Sequence, residues 1–177
     1  HIINTIGKID RLKVHPGSGH SQCSFELNFD GKKFFDTLDP GSAASSQKRG
    51  LNGKSIWQRS HLHPSIEAIE SIYPMTVNSY AFRPNSGGDG KKAAGLVLVK
   101  TITVKQPAIL KWAIIEPQQR PEGISGGKDA QSAEIFIITA DGKKQTLDQQ
   151  GEHQLNPQDK LIVHSAVGGG FGAPKVV

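Results

Sequence analysis

Ala133-Glu134-Ile135-Phe136-Ile137-Ile138-Thr139-Ala140-Asp141-Gly142-Lys143-Lys144-Gln145-Thr146-Leu147, AEIFIITADGKKQTL, decides the fold class. Its first seven residues are rich in β-branched and aromatic side chains, which suit a pleated strand. Asp-Gly then supplies the positive-φ chemistry of a tight turn, and 143–147 return as a second arm, so the stretch predicts a β-hairpin. The same signature precedes it at 24–35, where SFELNF alternates polar and apolar residues, Asp30-Gly31 turns, and 32–35 fold back. Between these hairpins, 77–82, 95–104 and 108–116 read as three strands separated by Gly/Asn/Asp/Pro clusters, and 160–164 reads as one more.

Helical periodicity is confined to 64–73 (PSIEAIESIY), where Ile66, Ile69 and Tyr73 share one face and Pro64 suits the first turn. The expected fold is therefore mainly β (α+β): a twisted antiparallel sheet or sandwich with one short helix and glycine-rich loops at the strand ends. Residues 1–30 are expected to form an N-terminal extension or the first strands, and 31–177 the main domain. The stretch 39–54 (DPGSAASSQKRGLNGK) has the composition of a mobile loop.

A chain of 177 residues, 36% hydrophobic and 21% charged, is long enough for a real core and too apolar for a disordered one. No apolar run approaches the roughly 20 residues needed to span a bilayer, so we expect no membrane partner. The formal net charge is +5, but lysines and arginines are interspersed with acids instead of gathered in a stripe. That pattern predicts a solvated mixed surface and no nucleic acid partner. The single Cys23 cannot make an internal disulfide; we expect a buried, inert thiol and a cytoplasmic location. The chain begins at His1 without a charged and then apolar leader, and is expected to be a processed or trimmed piece of a longer precursor.

Three glycine clusters carry the functional question: Asn85-Ser86-Gly87-Gly88-Asp89-Gly90, Gly123-Ile124-Ser125-Gly126-Gly127-Lys128, and Val167-Gly168-Gly169-Gly170-Phe171-Gly172. Such loops expose amides that can hold an anion, or let backbones pack closely. The last is followed by Pro174 and not by a helix, so it matches neither a Walker A loop nor a dinucleotide fingerprint. His61 and His63, alternating on an extended segment, would share a face and could hold a divalent metal if Glu67 or Glu70 came near. Two surface or capping histidines before a helix are the competing reading.

Taken in order, these pieces resemble the C-terminal region of the hydantoinase B / 5-oxoprolinase family, the B-type subunits of ATP-dependent hydantoinases, oxoprolinases, and acetone and acetophenone carboxylases. The resemblance rests on Glu70 followed by Tyr73-Pro74, on Arg83-Pro84-Asn85-Ser86-Gly87-Gly88-Asp89-Gly90, on Pro121-Glu122-Gly123-Ile124-Ser125-Gly126-Gly127, on Asp141-Gly142, and on the closing glycine run. Departures are Asp39 to Ser46 where the family is glycine- and tryptophan-rich, Ala93-Ala94, and Val167 and Ala173 in the last motif.

The resemblance implies a small subunit or processed C-terminal segment of a multi-subunit enzyme, not active alone. Such a segment would form hetero-oligomers with hydantoinase A-type and B-type chains and contribute substrate-pocket wall and assembly surface. It further implies ATP and a divalent metal at the level of the complex and hydrolase or carboxylase chemistry; on that reading the expected substrate-binding residues are Arg83, Ser86, Gly87, Gly88, Gly126 and Gly127, and His61, His63 and Glu67, from their spacing, are the metal or acid/base set. A non-catalytic scaffold module is the alternative.

Overall fold

A computed structural model describes residues 22–54, 64–115, 122–129 and 131–174. In chain order the elements are β1 (Gln22–Phe29), β2 (Lys32–Leu38), α1 (Ile66–Ile72), β3 (Met75–Phe82), β4 (Leu98–Val104), β5 (Ala108–Ile115), β6 (Glu134–Ile138), β7 (Lys144–Thr146), β8 (Gln150–Leu155) and β9 (Lys160–His164). They make a four-stranded sheet ordered β2-β1-β5-β8 and a five-stranded sheet ordered β3-β4-β9-β6-β7. Every strand pair is antiparallel. Among the described residues the mainly-β expectation with one short helix holds, in the form of two sheets around a shared core.

Period-two patterning explains why the sheets meet. Cys23, Phe25, Leu27 and Phe29 of β1 are buried, and with Leu110, Ile102, Ile135, Ile137 and Leu161 they form one apolar cluster drawn from both sheets. Cys23 lies in that core, as expected. The Asp30-Gly31 and Asp141-Gly142 turns form with positive φ at Asp30, Gly31 and Gly142. Helix α1 starts at Ser65, whose Oγ accepts from the Ala68 amide at 3.2 Å, and buries Ile69. Its Glu70 carboxylate accepts the Val77 amide of β3 at 2.7 Å.

One polar pair sits inside the sandwich. Lys100 of β4 is 3% exposed and donates to Asp36 of β2 at 2.5 Å. Its ammonium lies 5.0 Å from the Tyr80 ring centroid and 5.5 Å from that of Phe34. Two aromatic faces and one carboxylate thus replace the water that a buried ammonium loses.

The structure departs from the sequence reading in three places. β8 was not anticipated, because QGEHQL has little apolar alternation; pairing with β5 makes it a strand, and Gly151 leaves room for the Trp112 ring. β4 begins at Leu98 and not at Gly95, whose amide donates to Ser42 O at 2.9 Å. The stretch 39–54 is not a loose loop: Ala43, Ala44 and Ser45 are buried, and its backbone is bonded to distant segments.

Candidate functional site

Beyond one end of the sandwich, segments 41–53, 87–96, 122–129 and 166–172 run against one another without forming a sheet. The closing segment lies at the centre. Gly168 N–H donates to Gly41 O (3.1 Å), Gly170 N–H to Lys128 O (3.0 Å), Phe171 N–H to Lys92 O (2.9 Å) and Gly172 N–H to Ile124 O (2.9 Å), while Gly169 O accepts from Ala44 N–H (3.1 Å). The backbones are so close that a Cβ on Gly127 would lie 2.2 Å from Gly170 O, and one on Gly170 2.2 Å from Asp89 O. Glycine is required there by space, not by φ. The amides of Gly168, Gly170, Phe171 and Gly172 are already donated to carbonyls, so these four cannot cradle a phosphate.

Between these segments lies an open cleft of about 810 Å³. Its wall carries Arg49, Asn52, Asn85, Asp89, Lys128 and Asp129, with Gly87 and Ala94 on the floor side. Three of the polar groups are fixed by the loops that present them. Asn52 Oδ1 accepts from Leu96 N–H (2.9 Å), Asp129 Oδ1 from Gly123 N–H (2.7 Å) and Asp89 Oδ1 from Gly90 N–H (2.7 Å). Asn85 has φ +55, a conformation asparagine tolerates better than most residues, and this turns the loop toward the cleft. Two cations, two carboxylates and three amides, Gln131 being the third, equip the wall to orient a polar ligand by hydrogen bonds.

The expected binding residues separate on this geometry. Gly87 lines the cleft. Ser86 is buried, its hydroxyl donating to Arg83 O (2.6 Å) and accepting from Val97 N–H (2.8 Å). Gly88 and Gly127 face neighbouring backbone, and Gly126 sits on an exposed turn at φ +89. Arg83 is exposed, and its charge acts on His164. Burial holds the His164 imidazole below the usual histidine range, against the opposing pull of Glu134; Arg83 and Lys144 add to the depression. Glu67 is exposed at the helix start, where its own amide and Ser65 hold its carboxyl below the usual range. His61 and His63 lie outside the described residues, and among the described residues no three His, Cys, Asp or Glu side chains gather as a metal site. Lys128, Asp89 and Asp129 were missed as site residues; their only signal was a charge inside a glycine loop.

The sequence pattern of the Hydantoinase B/oxoprolinase family matches residues 2–174. The chain belongs to this family. It is 25% identical over 153 residues to 5-oxoprolinase 1 of Arabidopsis thaliana, covering 85% of this chain and 12% of that protein. It is 28% identical over 162 residues to an uncharacterized protein of Methanocaldococcus jannaschii, covering 92% of this chain and 29% of that one. Among solved structures, the ATP-dependent caprolactamase from Pseudomonas jessenii superposes with a TM-score of 0.77 at 18% identity, over 96% of this chain and 32% of that one. A nucleotide-free acetone carboxylase gives 0.68 at 15% identity, over 90% and 27%. The hydantoinase B fold thus extends to both, and this chain spans less than a third of each of these relatives. No described helix is long and apolar enough to cross a membrane.

Proposed function

We propose that this hydantoinase B chain works in the cytoplasm as the C-terminal β module of an oxoprolinase-, hydantoinase- or carboxylase-type assembly, where it forms one wall of the substrate pocket and part of the assembly surface. Its partners are A-type and B-type chains. ATP and a divalent metal act at the level of the complex. The ATP dependence of caprolactamase and acetone carboxylase supports a nucleotide there, and the bonded amides of the closing glycine run favour a phosphate site elsewhere than in that run. Where the metal would draw on His61, His63 and Glu67, Glu67 is the residue whose position is described.

The observation that carries the reading is the polar cleft where the backbone-bonded segments meet. Arg49 and Lys128 offer it charge and Asn52 and Asn85 offer amides; Gly87 lines it while its missing Cβ makes room for the Gly95 backbone, and Arg83, Ser86, Gly88, Gly126 and Gly127 support the wall from outside the cleft. The test is turnover of a lactam or hydantoin by the assembly, purified through a tag on this chain. Arg49→Ala with Lys128→Ala is expected to raise KM by at least about tenfold, the loss of roughly 1.4 kcal/mol of binding, with assembly intact. Unchanged KM and kcat would select the scaffold reading instead, which the structural use of Ser86, Gly88 and Gly127 favours.

A further inference from the structure

Among the described residues the sandwich has four strand edges, and three of them are guarded. β2 opens with Lys32 and Lys33 and carries Asp36; β7 has only three residues and includes Lys144; β8 carries Glu152, paired with Lys111 at 3.1 Å. Charge and brevity of this kind keep an edge from accepting a foreign strand. β3 is the exception. It has eight residues, MTVNSYAF, with no charge and no proline.

The two halves of β3 differ. The first half is closed: Met75 and Val77 are buried, and the Val77 amide is taken by the Glu70 carboxylate of α1. A register shift between Val77 and Ser79 separates it from the second half, where residues 78–82 are all exposed. There, Arg83 N–H donates to Val97 O, so antiparallel alternation turns the N–H and C=O of Phe82 away from β4. Phe82 is 43% exposed and Tyr80 37%, although both lie on the strand face that also carries buried Met75 and Val77. Gly53 lies against the Phe82 ring.

We infer that the second half of β3 is the seat of an added strand, supplied by the part of a hydantoinase B-type polypeptide that lies outside the span matched here. This rests on the assembly reading above. The matched span is 32% of the caprolactamase chain and 27% of the acetone carboxylase chain, so in such proteins most of the polypeptide lies beyond this module. The incoming segment is extended and apolar at alternate positions, because backbone pairing fixes the register and the Tyr80 and Phe82 rings are exposed along it.

The experiment uses the assembly purified through a tag on this chain carrying Ala81→Cys, labelled with a maleimide benzophenone; Cys23 is fully buried, so the label goes to position 81. Thr146→Cys on the guarded β7 edge is the control. On irradiation, position 81 is expected to cross-link to a peptide of the hydantoinase B-type polypeptide, and position 146 to none. A second variant, Ala81→Lys, is expected to weaken association at least about tenfold, and Thr146→Lys to leave it unchanged. Cross-links from 81 confined to this chain or to a second copy overturn the assigned occupant. Companions that co-purify without any cross-link from 81, and tolerate Ala81→Lys, overturn the edge while sparing the assembly. A chain that elutes alone overturns both.

Discussion

The sandwich and the glycine bundle are held together by opposite means. In the sandwich, large side chains fill the space between backbones: Phe25, Leu27, Leu110, Ile135 and Leu161 are buried, and the sheets stand apart to receive them. In the bundle the backbones meet directly, and positions such as Gly127 and Gly170 have no room for even one carbon. A side-chain core can trade one shape for another at moderate cost; a backbone core cannot. The cleft with Arg49 and Lys128 is carved in the second kind of material, which holds its walls without a sheet.

The sharpest test of that contrast compares glycines. Gly127→Ala and Gly170→Ala drive a Cβ to 2.2 Å from a carbonyl oxygen, and each is expected to cost at least about 5 kcal/mol, read as loss of soluble protein or collapse of the urea midpoint. Gly142→Ala meets nothing within 4 Å but keeps φ +85, so it costs only about 1–2 kcal/mol. Equal effects at the two kinds of site would break the comparison. An effect between these two is expected in the sandwich, where Lys100→Met removes the cation facing the buried Asp36 carboxylate at a cost of about 3–5 kcal/mol. The double variant Lys100→Met/Asp36→Leu recovers most of the loss; no recovery in denaturant titrations would mean that the pair does more than neutralise itself.

The smallest effect belongs to His164. Because its folded-state imidazole takes up a proton only below the usual range near 6.5, the unfolded chain binds more protons as pH falls through that range. The stabilisation is complete above the unfolded value and is lost as pH drops toward the folded one. Urea midpoints taken between pH 7.5 and 5.5 are expected to fall less steeply in His164→Gln than in the parent chain. An unchanged slope would assign the acid sensitivity elsewhere.

How much could be read in advance follows the same division. The hairpins at 24–35 and 133–147 were legible because Asp-Gly turns and alternating apolar residues are local signals. β8 was not, since Gln150–Leu155 is a strand by virtue of its neighbour β5. The glycine clusters were visible, and the demand for close approach could be stated for the closing run. What could not be seen was which segments meet, and so Lys128, Asp129 and Arg49 could not be placed together. Nor could it be seen that Ser86 would spend its hydroxyl on Arg83 and Val97. Ser42 to Ser45 looked like slack chain because small residues suit both a loose loop and a tightly packed one.

The parallel bridge between Gly41 and Val167 joins points separated by nearly the whole described chain. During synthesis, segments 41–53, 87–96 and 122–129 emerge before the closing run that fits among them, and the carbonyls of Gly41, Lys92, Ile124 and Lys128 wait for its amides. Contacts of such sequence separation form late and carry a large loop-closure cost. The sandwich hairpins can assemble early, whereas the bundle that carries the cleft is incomplete until 166–172 is in place. A nascent or truncated chain lacking that run would hold a folded β core and an incomplete binding wall, which makes the glycine run a timing device for when the site comes into being.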